Sequence, residues 1–270
     1  MTRRAPEVLL ALALCAGCEA TGSWALTASG GALIEEGIPA SEMSDGCSVA
    51  FDRFLVSWDG RFLEGAGAAV IGEVVGAQVY DLALAGPHDL GAADGVPLGD
   101  WDHVHAVHQP DAGATAGNVD DATAAELASN DLSMRIEGTV TCGADAVTFG
   151  WDLSRGTKHH CYALVPIEAD ETTTTAYTIA GERLFATALQ DFDAPLAGQP
   201  FVDADANGDG EVTLTELDGV DLPTLGYGLG DWDNVVSFAD YLTVQTFYFV
   251  QSDGNQCTPE MLQEPYVSES

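Results

Sequence analysis

The pattern of apolar and polar positions over residues 47–190 breaks into short segments rich in strand-forming residues, separated by turn signals. "SVAFDRFLVSW" (48–58) and "AAVIGEVVGAQVYDLAL" (68–84) are rich in β-branched and aromatic residues, and Asp59-Gly60 between them marks a turn. "DHVHAVH" (102–108) reads as a further short strand, introduced by a turn at Pro97 and Gly99. In "LSMRIEGTVTCGADAVTFGWDLS" (132–154), Met134 and Ile136 alternate with polar residues on one arm. Val147, Phe149, Trp151 and Leu153 alternate on the other, which predicts a hairpin turning at "GAD" (143–145). "CYALVPI" (161–167) and "TTTTAYTIAG" (172–181) add two β segments. "DDATAAELAS" (120–129) interrupts the series as a short helix that Asp120 or Asp121 can cap. About seven strands over residues 47–190 predict an antiparallel β-sandwich.

After Phe192 the period changes. In "NVVSFADYLTVQTFYFV" (234–250), Val235, Phe238, Leu242 and Phe249 fall at intervals of 3, 4 and 7. That is a helical stripe suited to core packing, and Gly254 ends it. The fold expected is therefore mainly β with a C-terminal α segment. A β-sandwich domain spans 47–192, a C-terminal unit with one ion-binding loop and a packing helix spans 193–260, and 261–270 is a tail. Residues 18–46 are small, polar and without clear period, and read as a flexible tether.

One short stretch of the C-terminal unit carries chemistry. "DANGDGEVTLTE" (205–216) places Asp205, Asn207 and Asp209 at positions 1, 3 and 5 of a twelve-residue loop. Gly210 falls at position 6, where the chain must turn sharply. Glu211 offers its carbonyl at position 7, and Thr213 reaches an ion at position 9, directly or through a water. Glu216 closes the shell at position 12 with both carboxylate oxygens, and the apolar Val212 at position 8 packs inward. Starting instead at Asp203 would put Leu214 at position 12 and lose that closing ligand. These twelve residues resemble the EF-hand calcium loop, present here in a single copy. Pro200 suits the first turn of a short leading helix, and "LTELDGV" (214–220) a brief trailing one. The resemblance implies Ca2+ bound by Asp205, Asn207, Asp209, Glu211, Thr213 and Glu216. A lone loop outside the cell suits a structural ion with a Kd of about 10⁻⁴ to 10⁻³ M.

Charge narrows the partners. Eight Lys+Arg stand against 43 Asp+Glu, a net charge of −35, which repels nucleic acid and anionic lipid. Hydrophobic content of 46% nevertheless marks a globular chain rather than an acidic tail. The N-terminus, "MTRRAPEVLLALALCAGCEA", has Arg3 and Arg4, an apolar run from Val8 to Leu14, and small residues before Cys18. It reads as a signal peptide over 1–17. "LCAGC" resembles a bacterial lipobox, which implies a lipid on Cys18 and an anchored location in the cell envelope, in the outer membrane or facing the periplasm. Cys47, Cys142, Cys161 and Cys257 remain, with no CxxC pair, and in an exported chain they predict two disulfides in one of three connectivities.

Histidine offers a second metal class. His103 and His105, two apart in a strand, share a face with backbones roughly 7 Å apart, while His108 points to the other face. His159 and His160 join only if the fold brings them there. "FDRFLVSWDG" with the later "VPLGDWDHV" resembles exported four-cysteine β-sandwich proteins that bind copper and work beside a haem partner. That resemblance implies His103 and His105 as copper ligands. No GxSxG elbow, P-loop, HExxH or Rossmann fingerprint occurs, so no catalysis is expected.

Overall fold

The computed structural model describes residues 20–262, so the signal segment 1–17, Cys18 and most of the tail lie outside the described residues. β1 (Thr21–Ser29) is followed by a single helical turn, α1 (Ala32–Glu35), and by the long β2 (Ser48–Glu64). Next come β3 (Val70–Val74), β4 (Gln78–Asp81), β5 (His88–Pro97), β6 (Gly99–His108) and β7 (Thr115–Ala116). α2 (Asp121–Ser129) precedes β8 (Met134–Cys142), β9 (Asp145–Leu153), β10 (Thr157–Ile167) and β11 (Thr172–Ile179). A 3₁₀ turn at Gly181–Phe185 leads to α3 (Gln199–Asp203), β12 (Glu211–Val212), α4 (Leu214–Asp218), α5 (Leu222–Leu225) and α6 (Phe238–Gln245). β13 (Val250–Ser252), β14 (Asn255–Gln256) and β15 (Thr258–Met261) complete the order.

The strands form a β-sandwich. One sheet runs β14-β13-β11-β1-β5, and the other runs β12-β9-β8-β2-β6-β10-β15, with β3 and β4 on β2 and β7 on β4. The alternation read from the sequence sets the inner faces. Val147, Phe149, Trp151 and Leu153 of β9 are all buried, with exposed residues between them. The expected hairpin is present: β8 and β9 are antiparallel, and Gly143 turns between them at φ 63°. One apolar cluster contains Trp24 of β1, Trp151 of β9, and Phe238 and Leu242 of α6, so the core crosses residue 192 without a break.

Four expectations need correction. Residues 18–46 are no tether where the structure describes them. β1 lies between β11 and β5 with Trp24, Leu26 and Ala28 buried, and Ile34, Ile38 and Met43 join the core. The period of two was present there, but small residues blunted it. Asp59-Gly60 is not a turn, because β2 runs through it from Ser48 to Glu64. A register shift against β6 between Trp58 and Arg61 absorbs one extra residue as a bulge, and the Gln109 side-chain amide donates to the Asp59 carboxylate. The helical stripe is shorter than expected. Only Phe238–Gln245 is helical; Val235 packs from the preceding loop and Phe249 from the approach to β13, yet all four stripe residues are buried. Finally, the sandwich is not wholly antiparallel, since β1–β11, β4–β7 and β9–β12 pair in parallel.

The disulfides are Cys47–Cys142 and Cys161–Cys257, spanning 95 and 96 residues. Closing loops of that size removes unfolded-state entropy worth about 4.7 kcal/mol each in the chain-entropy account. Two such bonds suit an oxidising, exported environment. No helix among the described residues is long and apolar enough to cross a membrane.

Candidate metal centres

The acidic loop is built from its own hydrogen bonds. α3 leads into it with Pro200 in its first turn, and buries Phe201 against Phe185 and Phe238 at ring separations of 4.8 and 4.6 Å. The Asp205 Oδ1 accepts from the Gly208 and Asp209 N–H groups at 2.8 and 3.2 Å, and its Oδ2 accepts from Gly210 N–H at 2.9 Å. The Asn207 Oδ1 accepts from Asp209 N–H, and the Asp209 Oδ1 from Glu211 N–H. Gly210 takes φ 84°, and a Cβ there would meet no atom within 4 Å. The backbone angle, rather than lack of space, therefore demands glycine.

Positions 7 and 8 then pair with the sheet. Glu211 and Val212 form β12 in parallel with Thr148 and Phe149 of β9, and Val212 is buried as expected. The Gly210 carbonyl accepts from Thr148 N–H at 2.8 Å and from its hydroxyl at 3.2 Å. The Val212 carbonyl accepts from the buried Trp151 Nε1–H at 3.2 Å. Thr213 caps α4 in a capping box: its hydroxyl accepts from Glu216 N–H, while the Glu216 Oε2 accepts from Thr213 N–H at 3.0 Å. The other oxygen, Oε1, is buried and has no hydrogen-bond partner.

This donor set fits a hard divalent ion. Two aspartates, an asparagine, a glutamate, a threonine and a main-chain carbonyl are all oxygen donors, and Lys and Arg are absent from the stretch. An orphaned carboxylate oxygen costs free energy that a cation would recover. Among the described residues, however, no three His, Cys, Asp or Glu side chains are grouped to hold a metal by themselves. An ion here would thus draw on Asn207, Thr213 and the Glu211 carbonyl as well as on the carboxylates.

The histidines lie on β6 and β10, antiparallel neighbours with His105 opposite His160 and His108 opposite Thr157. His103 and His105 share the outer face as expected, but they do not meet. His103 is paired with the Asp102 carboxylate at 2.6 Å and lies edge-on to Tyr162. His105 is buried under the Phe62 ring, 4.6 Å from the His160 ring, with its Nε2 3.1 Å from the Glu64 carboxylate but out of line for a hydrogen bond. His160 turns its own Nε2 to Glu260.

The inner face holds a pair that sequence reasoning missed. His108 and His159 are fully buried with ring centres 5.0 Å apart, and none of their four ring nitrogens has a hydrogen-bond partner. The Trp58 ring meets His108 edge-on at 4.0 Å and lies 5.4 Å from the Tyr177 ring of the facing sheet. Burial pushes His159 down to about 3 and His108 well below its ordinary value; His105 also falls to about 3 for the same reason. All three are neutral at physiological pH, the form in which imidazole binds metals. The signal was the inward register of Thr157, His159 and Cys161, which becomes readable only once β10 is known to begin at Thr157.

No family model matches the chain, and no curated protein or solved structure matches it either.

Proposed function

We propose that this is an exported calcium-binding protein, anchored in a bacterial envelope through a lipid on Cys18, in which calcium is structural and no catalysis takes place. The observation that carries the reading is the loop 205–216, with glycine at the left-handed sixth position and one oxygen of Glu216 buried without a partner. The lone loop has a physical support for its missing twin: β12 lies on the edge strand β9, which steadies positions 7 and 8. The ion would neutralise Asp205, Asp209 and Glu216 and fasten the C-terminal segment to the sandwich. Melting curves test this. Calcium should raise the Tm, and Glu216→Gln should abolish the rise; an unchanged wild-type curve in millimolar calcium counts against the proposal.

A second reading, transition-metal binding with copper as the ion, is favoured by a separate observation. Four unpartnered imidazole nitrogens in the core are costly unless something binds them. The favoured ligands are then His108 and His159 in place of His103 and His105. Copper titration followed by absorption separates the sites: loss of binding in His159→Leu with retention in His103→Ala supports the inner pair, and the reverse supports the outer face.

A further inference from the structure

A cleft lined by neither the acidic loop nor the histidines carries its own chemistry. It opens between α6, the connection from β9 to β10, and the segment before α6, with a volume of about 190 Å³. That is below the ~300–1,000 Å³ of pockets for drug-sized ligands, so its occupant is small. Asp240, Val244 and Phe247 line it at helical spacing from α6 and its last turn, with Val235 and Trp232 beside them. The Trp232 and Phe247 rings stand 6.1 Å apart and tilted, giving the cleft an aromatic wall.

Arg155 lies at its rim. In a chain of net charge −35, the other described Lys and Arg residues are all engaged. Arg53 and Arg135 pair with carboxylates, Arg61 donates to main-chain carbonyls, and Lys158 and Arg183 lie over aromatic rings. Arg155 alone has no partner among the described residues. Asp240 lines the same cleft, yet the two do not form an ion pair. Two opposite charges thus line one small cleft without closing on each other.

We propose that this cleft binds a small zwitterion, of the class of a free amino acid. Arg155 takes the carboxylate through its planar pair of N–H donors. Asp240 takes the ammonium group, and the half-buried Trp232 packs against the side chain. The protein's charge decides between ligand classes. A bare carboxylate is repelled by the surrounding field, and a bare cation has dozens of other acids to choose from, but a zwitterion carries no net charge and satisfies both residues.

Calorimetry on the full chain, with L-phenylalanine and L-leucine as probes, tests the proposal. 3-Phenylpropionate and phenethylamine are the one-charge controls. The expected result is saturable binding of one amino acid per chain. It should weaken about tenfold or more for either control, and likewise in Arg155→Ala and Asp240→Asn, which replace exposed side chains and should leave the melting temperature unchanged. Absence of saturable heat for both amino acids overturns the proposal. So does a one-charge control that binds equally well, or binding that survives both substitutions.

Discussion

The acidic loop and the inner histidine pair are opposite solutions to placing polar atoms. In the loop, the side chains of Asp205, Asn207 and Asp209 are satisfied within five residues of themselves. At the histidine pair, atoms from β6 and β10 meet across 51 residues of sequence and satisfy nothing. The loop folds on its own short-range hydrogen bonds and leaves one buried oxygen of Glu216 without a partner. The core pair holds two neutral bases fully buried, with no protein hydrogen-bond partner, at a standing energetic cost. A local motif organises itself; a long-range one depends on the whole sandwich to hold it.

The largest effect should come from the packing beneath the loop. Phe201→Ala removes a fully buried ring touching Phe185 and Phe238, and should cost about 3–5 kcal/mol in denaturant melts. The loss should be similar with and without calcium, because the ring supports the loop without joining the ion's shell. A loss confined to calcium-loaded protein would break the distinction between support and site.

The next effect belongs to the histidines. His105, His108 and His159 are neutral in the fold, while unfolded histidine titrates near 6.5. Below that pH the unfolded chain binds more protons, so stability falls as pH drops from about 6.5 toward about 3, where His105 and His159 titrate in the fold. Each buried histidine contributes a slope of up to about 1.4 kcal/mol per pH unit. Urea midpoints between pH 7 and 5 should show this slope, and His159→Leu should reduce it by about a third. An unchanged slope would mean the inner pair is not held neutral.

The smallest effect sharpens the loop. Gly210→Ala meets no neighbouring atom, so its cost is the left-handed backbone alone, about 1–2 kcal/mol. Denaturant midpoints in calcium-free buffer should report that loss, with the pH slope of the histidines untouched.

These differences explain what could be read in the sequence. The turn at Gly210 and the inward Val212 were legible because the features that set them fall within a few consecutive residues at fixed steps. The hairpin of β8 and β9 was legible because its alternation is unbroken around a glycine turn. β1 was missed because its alternation is carried by Trp24, Leu26 and Ala28 among small polar residues, and its partners β5 and β11 lie far along the chain. The bulge at Asp59-Gly60 was misread because an Asp-Gly pair usually turns a hairpin, and only pairing with β6 keeps it extended. The disulfide pairing and the His108–His159 meeting depend on strand order, which local pattern does not encode.

The central claim is that residues 205–216 close around a divalent ion. A crystal structure of calcium-soaked protein, with anomalous scattering to identify bound ions, tests it most directly. The account predicts an anomalous peak at about 2.3–2.6 Å from the Asp205, Asn207 and Asp209 side chains, the Glu211 carbonyl and both oxygens of Glu216. A loop without a peak, with the Glu216 carboxylate still held only by Thr213, would contradict it.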